Sequence, residues 1–143
     1  MPTVRQIEEA LCQLAPRELA MGWDNVGLLV GDPSREVTRI LVSLDITQAV
    51  VEEAAQAGAD VIVAHHPVMN CKWLPVQTLR EDTQQGRLLR TLVRHDIAAV
   101  CMHTNLDAAL GGVNDLLAQK LGLNDLEMLN EEKIGRIGTL KCE

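Results

Sequence analysis

The sequence predicts an α/β fold: a parallel sheet flanked by helices. Three observations carry that prediction. The segment Arg39 to His66 reads as strand, helix, strand, with continuous apolar runs on either side of a helix about eleven residues long. A second helix and apolar strand follow between Thr83 and Met102. Polar, chemistry-bearing residues (Asp45, His65 with His66, and His103 with Asp107) each fall just past an apolar run. In a parallel sheet those strand ends share one edge, where open α/β folds bind their ligands.

The elements are justified in order along the chain. Thr3 with Gln6 forms a capping box, and Val4, Ile7, Leu11 and Leu14 repeat at helical spacing until Pro16 stops the helix. Trp23-Asp24-Asn25-Val26-Gly27 reads as a loop into a short strand, Leu28 to Val30, closed by the turn Gly31-Asp32-Pro33-Ser34. The next strand, Arg39 to Leu44, ends at Asp45. Thr47 caps a helix running to Ala57, with Gly58 as its C-terminal cap. The strand Asp60 to Ala64 runs into His65-His66-Pro67. A loop with Cys71, Lys72 and Trp73 leads to a helix from Thr83 to His95, where the imidazole suits the helix C-terminus. The strand Ile97 to Met102 ends at His103-Thr104-Asn105-Leu106-Asp107. Gly111-Gly112 opens a last helix, Val113 to Leu121, as a plain turn or as an anion site at the helix N-terminus. Beyond Asn124 the chain is charged and glycine-containing, and the apolar patch Ile134 to Leu140 has no evident partner strand downstream.

Composition narrows the function classes. At 143 residues, 47% hydrophobic and 23% charged, the chain predicts a single folded domain, residues 1–143. It has two Trp and no Phe or Tyr, so the core must be aliphatic and no aromatic platform for stacked bases is expected. The net charge of −7 also argues against a nucleic-acid partner, although a small phosphorylated molecule remains open. No apolar run approaches a membrane span or a secretory h-region, and Cys12, Cys71, Cys101 and Cys142 form no C-x-x-C pair. The expected location is cytoplasmic, with no membrane partner.

The chemistry concentrates at the His doublet. Neighbouring side chains on a regular strand point to opposite faces. Pro67 has no N–H to donate, so the ladder ends there and two imidazoles can splay from one corner. That arrangement suits two metal ions about 4 Å apart better than one. It also fits a surface pair flanking a turn. Imidazole and carboxylate donors suit zinc, iron, manganese, cobalt or nickel. Asp24 and Asn25 fit an Asx turn as well as a supporting role behind the ligands. Cys101 reads as a buried small hydrophobe. Ser43 and Thr104 lie in no G-x-S-x-G elbow, so serine-hydrolase chemistry has no support.

Taken together, Trp23-Asp24-Asn25-Val26-Gly27-Leu28, Ala64-His65-His66-Pro67, His103-Thr104-Asn105-Leu106-Asp107, Gly111-Gly112-Val113-Asn114-Asp115 and Gly135-Arg136-Ile137-Gly138 resemble the dinuclear metal-centre family named GTP cyclohydrolase 1 type 2 homologues. The likeness runs from about residue 4 to residue 140, over the family's N-terminal half. It implies an α/β fold with a mixed, mostly parallel sheet flanked by helices, two divalent metal ions per subunit and a hexameric homo-oligomer. By position, His65, His66 and Asp107 match the family's metal ligands. His103, Asp45, Asp24 and Asn25 are then expected around them, and no catalytic residue is assigned. Family members continue into a second half that supplies a further His and Glu. This chain is therefore expected to lack the C-terminal half and to bind metal weakly. The implied function is a metal-binding protein. As an enzyme it would be a hydrolase using metal-bound hydroxide on a nucleotide-like or phosphorylated small molecule. The alternatives are a non-catalytic metal-binding or scaffold protein, and a truncated folding unit with an incomplete site.

Overall fold

The computed structural model describes residues 1–140, so Cys142 lies outside the described residues. Helix α1 (Val4–Leu14) is closed at its N-terminus by the reciprocal Thr3–Gln6 capping box. A single 3-10 turn, Arg17–Leu19, follows it. Strand β1 (Gly27–Val30) leads to β2 (Ile40–Ser43), α2 (Gln48–Ala57) and β3 (Val61–Ala64). Thr47 accepts from the Val50 N–H at the start of α2, and Gly58 ends that helix in the left-handed region that favours glycine, φ 66°. Then come α3 (Gln84–Arg94), β4 (Ala98–Cys101), the short α4 (Thr104–Ala108) and α5 (Val113–Lys120). Strands β5 (Asn124–Met128) and β6 (Arg136–Thr139) complete the order.

The main sheet runs β1-β4-β3-β2. Strands β2, β3 and β4 are parallel, and β1 joins β4 antiparallel at one edge, which makes the sheet mixed and mostly parallel. One face carries the larger core, where Ile62, Ala99 and Cys101 meet Val51 and Ala54 of α2 and Leu88, Leu89 and Leu92 of α3. On the opposite face α1 sets Val4, Ile7 and Leu11 against Val61, Ala98 and Val100. Burying each such aliphatic side chain stabilises by about 1.5–3 kcal/mol.

One expectation needs correction, and two segments gain detail. The apolar run in β2 implied cover on both faces, yet Val42 is 78% exposed and Ile40 and Leu44 are exposed as well. Leu41 alone faces the α2–α3 core, because α1 does not extend across the sheet as far as β2. Residues 104–108 form a short helix, so Asp107 stands one helical turn beyond β4. The stretch 134–140 does have a partner, and it lies upstream: β6 pairs antiparallel with β5. Among the described residues, no helix is long and apolar enough to cross a membrane.

Candidate metal centre

The His doublet sits where β3 runs out. Pro67 donates nothing to the ladder, and the N–H groups of His65 and His66 both turn to the Leu44 carbonyl, at 3.2 and 3.1 Å. The two imidazoles leave this corner on the same side, ring centroids 5.0 Å apart and tilted by 54°. From the end of the neighbouring β4, His103 adds a third ring, 5.0 Å from His65 and 5.4 Å from His66. One nitrogen from each ring lies within 4.8 Å of the others.

Each ring is held from behind through Nδ1. His65 Nδ1 donates to the Met102 carbonyl at 2.9 Å. A carbonyl can only accept, so Nδ1 carries the proton and Nε2 is left with its lone pair. His66 Nδ1 pairs with Asp45 Oδ1 at 2.7 Å. His103 Nδ1 meets both oxygens of Asp24 at 3.0 Å. Three imidazoles fixed in this way present Nε2 to a common space, the orientation that outer carboxylates and carbonyls impose on metal-ligating histidines. Asp107 stands beside them, its Oδ1 3.6 Å from His65 Nε2.

Asp24 has no exposed side-chain surface. It accepts from Thr104 Oγ1 at 2.5 Å, the Thr104 N–H at 3.1 Å and the Asn25 N–H at 2.8 Å. Burial disfavours its charge, but the hydrogen bonds from Thr104, His103 and Asn25 outweigh burial and hold its carboxyl below the usual range. Asn25 itself reaches no imidazole; its Nδ2 donates to the Met69 carbonyl at 2.9 Å and ties the Trp23 loop to the loop after the doublet. Asn105, fully buried, fixes the other side of His103 by accepting from its N–H at 2.9 Å and donating to the Ala15 carbonyl at 2.8 Å.

The structure thus brings His65, His66 and Asp107 to one edge, with Asp45 and Asp24 behind two of the rings. His103, expected only as a neighbour, belongs to the group of three. Its link to Asp24 spans 79 positions in sequence, and no local pattern announces it. Asn105 was not anticipated either. Thr104 Oγ1 is committed to Asp24 and Ser43 Oγ to the Asp45 carbonyl, so neither is a free nucleophile. Cys101 lies in the core, where burial pushes its thiol up to about 12.

At Gly111-Gly112 the helix N-terminus is already occupied by a carboxylate, since Asp115 accepts from the Gly111 N–H at 2.5 Å. Gly112 is needed for close approach: a Cβ there would lie 2.0 Å from the Leu106 carbonyl oxygen.

The donor set fits a divalent ion of the zinc, iron, manganese, cobalt or nickel kind. Ligands on a single tetrahedral ion stand about 3.4 Å apart at metal–nitrogen distances near 2.1 Å. The three nitrogens lie within 4.8 Å of one another here, so the rings would draw inward on a single ion.

Comparisons with known proteins identify the family. The family model for Duf34/NIF3 (NGG1p interacting factor 3) matches residues 2–143. A Listeria innocua protein named GTP cyclohydrolase 1 type 2 homolog is 44% identical over 119 residues, covering 83% of this chain and 31% of that protein. The solved Bacillus cereus protein related to NIF3 superposes with a TM-score of 0.83 at 40% identity, over 90% of this chain and 35% of that one. Reduced HcgD from Methanocaldococcus jannaschii gives 0.86 at 31% identity, over 95% and 53%. This chain therefore spans about a third to a half of the length of these relatives. With a match over nearly all its residues, and a fold shared with solved members, the chain belongs to the Duf34/NIF3 family.

Proposed function

We propose that this chain holds divalent metal at His65, His66, His103 and Asp107, for hydrolysis of a nucleotide-like or phosphorylated small molecule. The observation that supports it is the set of three imidazoles, each with Nδ1 engaged and Nε2 turned to a shared space. A bound divalent ion would supply Lewis acidity, acidifying water and polarising a carbonyl or phosphoryl oxygen. The chain's own groups do the positioning. Met102, Asp45 and Asp24 fix the rings in one tautomer, and Asp107 adds a carboxylate able to neutralise charge or accept a proton beside His65. The nucleotide-like substrate class leans on the name of the relatives, GTP cyclohydrolase 1 type 2 homolog. The free thiols of Cys12, Cys71 and Cys101 suit a cytoplasmic location, and the open flank of the sheet at Val42 suits a homo-oligomer.

Metal counting tests the reading. Titration with Co²⁺, followed by elemental analysis of the desalted protein, should show weak uptake of one ion or fewer per chain. Substituting both His65 and His66 by Ala should abolish it. Uptake unchanged by that double substitution would remove the proposal.

A further inference from the structure

The chain has two aromatic side chains, Trp23 and Trp73, and no Phe or Tyr. Neither supports the core, because Trp23 is 41% and Trp73 is 55% exposed. Fifty positions apart in sequence, they meet with ring centroids 5.2 Å apart, tilted by 57°. Both also stand edge-on to His103, at 6.2 and 5.6 Å. Burying an indole removes a large apolar area from water, so a chain short of aromatics would gain stability by placing them inside. Two indoles left in water at one spot, on the rim of the imidazole group, call for a ligand instead. The two indoles lie against each other and beside His103, the one place where the chain's Trp side chains gather.

The platform is built rather than floppy. Trp23 precedes Asp24, which is anchored to Thr104 and His103. Trp73 lies in a tight turn closed by Leu74 N–H to the Cys71 carbonyl at 3.0 Å and Asn70 N–H to the Leu74 carbonyl at 2.8 Å. Asn25 Nδ2 joins the two loops through the Met69 carbonyl. Rings held in this way stack a partner without first paying to become ordered.

We propose that Trp23 and Trp73 position the flat, uncharged heteroaromatic ring of a mononucleotide-like substrate beside the three histidines. An indole face stacks a flat heteroaromatic ring whatever its identity, because every base has a π-face. A nucleic-acid strand would need successive platforms and a basic groove, whereas the chain has a single pair of indoles and a net charge of −7. A single base stacked on the pair puts its sugar or phosphate within reach of the imidazole edge. The inference rests on the metal-site reading for where reaction occurs, but ring binding itself needs no metal.

The two indoles are the chain's only Trp fluorophores, so selectively excited emission reports from this rim alone. Three probes separate the claims: CoCl2 alone, guanosine 5′-monophosphate, and ribose 5-phosphate. Guanosine 5′-monophosphate should quench saturably with or without Co²⁺, and ribose 5-phosphate should not. Trp73→Leu should weaken guanosine 5′-monophosphate about 10- to 100-fold by calorimetry, with Trp73→Phe restoring most of it and Co²⁺ affinity unmoved. His65→Ala should remove the response to Co²⁺ while leaving that to the nucleotide. Equal responses to the nucleotide and the sugar phosphate, or an unchanged nucleotide affinity in Trp73→Leu, would overturn the inference. Failure of Co²⁺ alone would instead strike the metal reading and leave ring binding standing.

Discussion

The two ends of the parallel strands handle polar groups in opposite ways. At the N-terminal end, Asp60 precedes β3 and is saturated. It accepts from the Thr38 N–H at 2.7 Å, Thr38 Oγ1 at 2.8 Å, the Arg39 N–H at 3.0 Å and Arg35 at 2.9 Å. Arg35 in turn pairs with Asp96, so the starts of three strands are latched together. At the C-terminal end three imidazoles are each satisfied on one nitrogen and turned towards one another with the other. A saturated network contributes to stability, whereas a half-satisfied one costs stability and gains ligand binding. Substitutions at the two ends should therefore separate folding from metal uptake.

The largest expected effect is at the latch. Asp60→Ala removes a charged acceptor from several donors and should destabilise by about 2–3 kcal/mol in urea unfolding. Co²⁺ uptake should be unchanged per folded chain. The pH dependence has a definite sign. The N–H of Thr38 and the other donors hold the Asp60 carboxyl well below the usual carboxylate range. Its contribution is thus fully present above the unfolded value of about 3.9 and is lost as pH falls towards the folded one. The gap between parent and variant should be constant near neutrality and narrow below about pH 4. A gap that widened on acidification would show that Asp60 is not the group that matters.

Next comes Asp24→Asn at the functional end. The shape is kept, but the charge that fixes His103 is lost, and outer-ligand changes of this kind typically cost about 10- to 100-fold in metal affinity. Calorimetric titration with Co²⁺ measures it. An unchanged affinity would mean that His103 is not a ligand and that the ion sits on the doublet and Asp107 alone.

The two ends also differ in how much of them can be read from sequence. Apolar runs ending in Asp45, His65 and His103 place the chemistry at one edge, because a parallel sheet leaves no other arrangement. Capping residues fix Thr3, Thr47 and Gly58 just as directly. What determines the role of His103 is a contact with Asp24 that local periodicity cannot contain. Strand β5 escapes for a different reason: Asn124-Asp125-Leu126-Glu127-Met128 is polar and mostly exposed, with Asp125 at φ 52°, so it has neither alternation nor strand propensity to show. The open flank of β2 is illegible because an apolar run looks the same whether or not a helix reaches far enough to cover it. Here α1 stops short, leaving a groove of about 180 Å³ lined by Leu11, Leu14, Val42 and Val63 that ends at His65.

The smallest effect sharpens the comparison within the site itself. Asp45 supports His66 as Asp24 supports His103, with a similar distance of 2.7 Å, yet its surroundings differ. The His66 and Asp45 side chains are 42% and 53% exposed, whereas Asp24 is wholly enclosed. Water beside an exposed pair screens the charge and can replace the lost acceptor, so such pairs contribute little, about 0–1 kcal/mol. Asp45→Asn should therefore weaken Co²⁺ binding by less than about 5-fold and leave the unfolding midpoint within experimental error. Adding the Asp24 substitution should give a nearly additive loss, since the carboxylates act on different rings and share no hydrogen-bond partner. A loss at Asp45 as large as that at Asp24 would show that His66 carries the ion more tightly than its exposure implies. A strongly non-additive pair would mean that the three imidazoles move as one unit when the metal enters.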